Sequence, residues 1–243
     1  MNERQDSLGN LAIKALELMH RDLEGMKIDA HLNPGDFMVV VGRNGAGKST
    51  LLHTIMGLLS PLRGQVMLGP DDVFSLSPRE RATRMSFVTS TPPRHAGITV
   101  RETIELALKA GRGEVDTSEA EAHMEATGIS VWADRRLDRL SDGMAQRVMV
   151  ARAAIQSKNI VVLDEPTAFL DVVGKEDVLE QLRQCKENGQ IIVLATHDLE
   201  SVAACGGVTH WLRLRPGISG GSTFHQGGFE PETVRAVLRS EKR

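Results

Sequence analysis

The sequence has no tyrosine, and aromatic residues make up 3% of it. That argues against a groove built by stacking bases on aromatic rings. Charge of one sign is also missing: 29 Lys and Arg against 32 Asp and Glu leave a formal net charge of −3. No basic field points to nucleic acid, and no nucleic-acid partner is expected. Two cysteines, Cys185 and Cys205, form no disulfide framework in a chain of 243 residues; a reducing cytoplasm is the simpler setting. No apolar run approaches the roughly 18 residues of a membrane span. The start, MNERQDSLGN, is polar with no apolar segment behind it, so no signal peptide is expected. The eight histidines show no metal-ligand spacing. What remains is ordinary globular composition, long enough for one core or a core plus a subdomain.

The patterning reads as α/β. Alternation in MKIDAHL (26–32) marks a half-buried strand, and FMVVV (37–41) one covered on both faces. A helical pattern, LLHTIMGLL, runs to a stop at Ser60-Pro61. Short strands are expected at 65–68 and 85–88. From Thr89 to Arg139 the character changes: helices at 100–110 and 118–127, the second with a capping box of Ser118 and Glu121, and no strand pattern. This predicts a helical insertion, about 89–157, in a single domain whose core is 12–88 and 158–240. The core resumes with a helix at 144–156, strand IVVLDE (160–165), a helix near 175–185, strand IIVLAT (191–196) and a helix from Asp198. Strands alternating with helices imply a mainly parallel sheet. GISGGSTFHQGG (217–228) reads as a flexible loop and 231–239 as a closing helix.

GRNGAGKST, Gly42 to Thr50, fits G-x-x-x-x-G-K-[ST] between a strand and a helix. Gly42, Gly45 and Gly47 let backbone wrap a phosphate without Cβ clashes, and their amides and the helix N-terminus face the anion. Lys48 adds a positive charge for the β- and γ-phosphates, and Ser49 a hydroxyl for Mg²⁺. Asn44, Ala46 and Thr50 complete the expected nucleotide contacts. Asp164 and Glu165 end the apolar strand IVVLDE, at the edge where open α/β sheets bind ligands. Asp164 would hold Mg²⁺ and Glu165 polarise the attacking water. His197, at the end of the next strand, could hydrogen-bond the γ-phosphate or the water. Lys48, Glu165 and His197 are the expected catalytic groups.

A second glycine-bearing loop, Leu140-Ser141-Asp142-Gly143-Met144, opens a helix just before the acid strand. With GRNGAGKST, IVVLDEP, FLD (169–171) and TH (196–197) in this order, the chain resembles the nucleotide-binding subunit of ATP-binding-cassette transporters, from about Ala12 to Val237. The resemblance implies a P-loop NTPase core with an antiparallel β subdomain and an inserted helical subdomain. It implies ATP and Mg²⁺ as cofactors and a homodimer with ATP bound. In that family the second loop closes on the nucleotide held by the other subunit, which would make Ser141 and Gly143 ATP contacts in trans; Asp171 resembles the acid that communicates across that interface. Further implied partners are integral membrane permease subunits and, indirectly, a periplasmic or surface substrate-binding protein. The implied place is the cytoplasmic face of the membrane.

The LSDG spelling and DEPTAFLD (164–171) resemble importers of iron chelates, haem and cobalamin within that family. An exporter, a soluble cassette protein and a poorly hydrolysing regulatory module are the competing readings. Three departures stand out. Asp142 and Met144 replace the commoner glycine and glutamine. Thr89-Ser90-Thr91 occupies the place of a glutamine that usually contacts Mg²⁺ or water, so that contact is expected to be weaker or water-mediated. No tyrosine is present to stack adenine, which leaves His20 as the candidate. Arg94 and His95 are expected near the permease groove.

Overall fold

The computed structural model describes residues 9–19, 26–93, 97–113, 115–215 and 222–239. Its strands are β1 (Leu11–Glu17), β2 (Lys27–Leu32), β3 (Phe37–Val41), β4 (Arg63–Leu68), β5 (Asp71–Asp72), β6 (Met85–Val88), β7 (Ile160–Asp164), β8 (Ile191–Ala195), β9 (His210–Arg213) and β10 (Thr223–Gln226). Its α-helices are α1 (Lys48–Ile55), α2 (Pro78–Arg84), α3 (Val100–Arg112), α4 (Thr117–Ala126), α5 (Asp142–Gln156), α6 (Val172–Glu187), α7 (Leu199–Cys205) and α8 (Pro231–Arg239).

The strands form two sheets. One is antiparallel, in the order β2-β1-β4-β5; the other runs β10-β9-β3-β8-β7-β6, with β6, β7, β8, β3 and β9 parallel and β10 antiparallel at the edge. This is the expected mainly parallel α/β core with an antiparallel β unit. Every residue of β3, β7 and β8 is buried, which is why they read as unbroken apolar runs. Alternation still divides them: Phe37, Val39 and Val41 enter one core with α3 to α7, while Met38 and Val40 enter another with α1 and the antiparallel sheet. Between β6 and β7 the described chain makes only helices, two of them short 3₁₀ turns, and one isolated bridge, Thr99 to Arg136.

Several local expectations are corrected. The helix after GRNGAGKST ends at Ile55, ahead of Ser60-Pro61, because Gly57 turns the chain at φ 67°. The α4 cap is Asp116, which accepts from the amides of Ser118 and Glu119; its carboxylate also takes the Ser118 hydroxyl at 2.6 Å, and Glu121 pairs instead with Arg101 at 3.0 Å. The proposed flexible loop at 217–228 contains β10, paired to β9 from Thr223↔Arg213 to Gln226↔His210. Two rings stack across that pair, Trp211 on His225 at 3.8 Å, which helps hold a short edge strand. Strand β1 has no simple period because Ala15 sits at φ 45° and the register shifts between Ile13 and Leu16. The bulge turns Ile13 and Leu16 to the same buried side.

Candidate nucleotide site

Parallel neighbours bring the C-terminal ends of β3, β7 and β8 to one edge of the sheet, and β6 ends beside them. A cleft of about 360 Å³ opens there, lined by loop residues 44–50, Ser90, Asp164, Glu165 and His197. The structure thus brings together all the expected catalytic and metal residues from three separate stretches of chain, with Ser90 from a fourth beside them. A larger groove of about 620 Å³ lies between α4 and α6, without a glycine loop or strand-end acids.

The loop is built to leave room. Gly45 and Gly47 have φ of 78° and 86°, where a side chain is strained. Gly42 lies beneath the cleft, and a Cβ there would stand 3.0 Å from both the Leu214 carbonyl and the Ala46 Cβ. Lys48 curls back over the loop, its Nζ donating to the Gly42 carbonyl at 3.0 Å, and stands 3.2 Å from His197 Nε2. Burial holds its ammonium below the ordinary lysine value, while Glu165 and then Asp164 pull the other way.

Ser49 Oγ donates to Asp164 Oδ2 at 2.6 Å. A hydroxyl and a carboxylate so placed form a two-oxygen donor set suited to a hard cation that keeps waters and phosphate oxygens as its other ligands. Among the described residues no group of three or more His, Cys, Asp or Glu is placed to hold a metal ion.

Glu165 and His197 brace each other. The Glu165 amide donates to the Ala195 carbonyl at 2.9 Å, and the His197 amide donates to Glu165 Oε2 at 3.2 Å. Glu165 has φ 48°, one of two non-glycine residues in the left-handed region among the described residues, a strain that recurs at functional sites. His197 Nε2 thus faces a donor, the Lys48 ammonium, on one side and an acceptor, the Glu165 carboxylate, on the other. Glu165 Oε1 lies 3.2 Å from the same nitrogen and has no hydrogen-bond partner among the described residues, although it is buried. A buried carboxylate oxygen without a donor is a ready acceptor for a water.

The segment in place of the usual glutamine also resolves. Thr89 spends its hydroxyl on the Thr91 carbonyl at 2.7 Å, and Ser90 is the member that lines the cleft.

Ser141 and Gly143 are not part of this cleft. Ser141 caps α5, accepting from the Met144 amide at 3.2 Å, and is exposed. Gly143 packs under the loop before α6, where Asp171 caps the helix through the Gly174 amide at 2.8 Å. Apolar side chains stand in solvent on either side of Asp171: Phe169 is 46% exposed and Val172 73%. His20, Arg94 and His95 lie outside the described residues. Two positions not singled out in the sequence bond to neighbours of site residues: Lys175, paired with Asp198 next to His197, and Gln146, fully buried on α5 and bonded to the carbonyl of Thr89, next to Ser90. A glutamine on an apolar helix face was the one available signal for the second.

Comparison with known proteins agrees with this geometry. Residues 26–168 match the family model described as ABC transporter. The achromobactin transport ATP-binding protein of Dickeya dadantii (strain 3937) is 34% identical over 194 residues, 77% of this chain and 71% of that one. The cobalamin import ATP-binding protein of Halobacterium salinarum (strain ATCC 29341 / DSM 671 / R1) is 36% identical over 72% of this chain, but the match spans 46% of its own length. Among solved structures, a nucleotide-free ATP-binding cassette from an ABC transporter superposes with a TM-score of 0.77 at 22% identity, covering 95% of each chain; this likeness concerns the fold alone.

Proposed function

The chain belongs to the ABC transporter family, whose ATP-binding subunits are ATPases, and from that premise we propose that it powers import of an iron chelate, haem or cobalamin through a separate membrane permease. The observation that carries the enzymatic part is the short bond from Ser49 Oγ to Asp164 Oδ2 within the glycine-lined cleft. The relatives' transport of achromobactin and cobalamin supports the substrate class.

In this reading 1–243 is one ATPase domain, with core segments 12–88 and 158–240 around the insertion 89–157. Loop amides 42–50 and the α1 N-terminus bind the phosphates, and Lys48 leaves the Gly42 carbonyl to meet the β- and γ-phosphate oxygens. Ser49 and Asp164 would hold Mg²⁺, which neutralises phosphate charge when bound. Glu165 Oε1 accepts a hydrogen bond from the attacking water. The water oxygen bonds to the γ-phosphorus, the bond from that phosphorus to the bridging oxygen breaks, and ADP leaves with the electron pair. The water's proton passes to Glu165. His197 steadies the γ-phosphate.

Ser141 and Gly143 of a second copy would close on this ATP, with Phe169, Val172 and Val173 around Asp171 covered by the same contact. No helix among the described residues is long and apolar enough to cross a membrane. The protein then binds peripherally to its permease at the cytoplasmic face and receives cargo from a substrate-binding protein only indirectly.

The test is co-purification. Tagged Glu165→Gln protein is expressed in its source cell, and membranes are solubilised mildly with ATP and Mg²⁺. Recovery of a polytopic permease is expected. A ribosomal, DNA-bound or purely soluble partner overturns the importer reading.

A further inference from the structure

Among the described residues, strand β6 is an edge of the parallel sheet, with β7 on one side only. Such an edge leaves carbonyls that need partners. Here side chains of one helix, and of the residue after it, bond to a carbonyl of this strand and to others just before and after it. Along α5 and the residue after it, Gln146 Nε2 donates to the Thr89 carbonyl at 3.2 Å and Arg152 Nη2 to the Phe87 carbonyl at 2.8 Å. Gln156 Nε2 donates to the Ala82 carbonyl at 3.1 Å, and Ser157 Oγ reaches the Arg84 carbonyl at 3.0 Å. Bonding in the other direction, Ser86 Oγ donates to the Ala153 carbonyl at 2.9 Å. The helix capped by Ser141 is therefore strapped along the strand that leads to Ser90.

Gln146 is the strap at the nucleotide end. It is 0% exposed, and its Oε1 is buried without a partner among the described residues. An unpaired buried carbonyl costs about 1–3 kcal/mol, so packing alone would favour an apolar side chain there. What the amide gives in return is the bond to Thr89. That residue is held twice, through its carbonyl by Gln146 and through its hydroxyl by the Thr91 carbonyl. Ser90, the next residue, lies between these two anchors and lines the cleft.

We propose that Gln146 is a positioning residue, which through the Thr89 carbonyl holds Ser90 at the nucleotide and ties it to the helix capped by Ser141. A shift of the Ser141 loop on a partner's ATP is then felt at Ser90 of the same chain. This rests on the ATPase reading above.

The experiment is a double-mutant cycle on full-length purified protein. It reads the affinity for a fluorescent ATP analogue and the Mg²⁺ concentration that gives half-maximal turnover. Wild type is measured first; failure to bind ATP with Mg²⁺ overturns the ATPase reading, and the inference with it. Given binding, Gln146→Met is expected to raise the Mg²⁺ requirement about three- to tenfold, the effect of losing one hydrogen bond. Ser90→Ala should do the same, and the double variant should be no worse than either single one. Ser157→Ala, at the far end of the strap, should lower Tm and leave the Mg²⁺ requirement unchanged. Where Gln146→Met does not fold, Gln146→Asn keeps an amide but withdraws it from Thr89. A wild-type Mg²⁺ requirement in both Gln146 variants, or a loss fully additive with Ser90→Ala, overturns the proposal.

Discussion

Lys175 Nζ lies 2.6 Å from Asp198 Oδ2, joining the helix that follows Asp171 to the strand end that carries His197. Asp198 also caps α7 through the Ser201 amide at 3.2 Å. Burial would push its carboxyl up, but the hydrogen bonds from Lys175 and Ser201 outweigh that and hold it below the usual carboxylate value. A partly enclosed, charge-assisted bond of this kind contributes about 1–2 kcal/mol. Lys175→Met is therefore expected to lower Tm by about 2–8 °C for a chain this long. It should also reduce turnover, because the peptide before Asp198 carries the His197 side chain. A thermal melt and an ATPase assay check this; a variant with unchanged turnover would show that the pair serves stability alone.

Gly143 offers a sharper test of the two-copy scheme. A Cβ on it would stand 2.9 Å from the Phe169 carbonyl, with Leu170 Cδ2 at 3.4 Å. The start of α5 and the loop before α6 are thus in backbone contact, and both belong to the surface expected to meet the second copy. Gly143→Ala forces them apart at about 1–3 kcal/mol. The proposed nucleotide cleft is not touched, so ATP affinity of the monomer should stay as in wild type while the ATP-dependent dimer weakens. Sedimentation with ATP and Mg²⁺ reads the second quantity, and an undiminished dimer fraction would sink the scheme.

Glu165→Gln keeps the side chain's shape and removes its charge. If Glu165 is the group that orients and deprotonates the water, turnover falls about 10²- to 10⁴-fold with ATP binding retained. Asp164→Asn should instead weaken Mg²⁺-dependent binding, because the carboxylate 2.6 Å from Ser49 Oγ is lost. Equal effects on binding from the two variants would contradict the division of labour between these adjacent acids.

The cleft was legible because phosphate binding imposes residue types at fixed spacing. Glycines at 42, 45 and 47, the lysine and hydroxyl at 48 and 49, and acids ending an apolar strand are all local signals. Burial on both faces made β3, β7 and β8 equally plain. The misses have physical causes. Ala15 at positive φ breaks the period of β1. Strand β10 is short and exposed at both ends, Thr223 and Gln226, so its residues keep no apolar alternation, and its pairing with β9 lies ten residues away in sequence or more. Asp116 wins the α4 cap over Ser118 because its carboxylate reaches two amides at once. The strap of Gln146 onto Thr89 spans 57 positions, and no local pattern announces a side chain bonded to a distant carbonyl.

The last prediction concerns pH. His123 is half-buried on α4, and its Nε2 lies 2.8 Å from the Ala151 carbonyl of α5. A carbonyl only accepts, so Nε2 carries the proton in the neutral ring. Burial pushes its pKa below the ordinary histidine value; the Ala151 bond and Glu119 oppose this, and Arg112 adds to it. Between that lowered value and about 6.5, the unfolded chain binds a proton that the folded chain refuses. Stability therefore falls as pH drops from about 7 through this window, because the unfolded state then holds more protons. His123→Gln keeps a donor for Ala151 and removes the titration. Urea midpoints at pH 7.5 and 5.5 should fall for the wild type and fall less for the variant. Equal falls would mean that this contact between the helical segment and α5 does not sense acid.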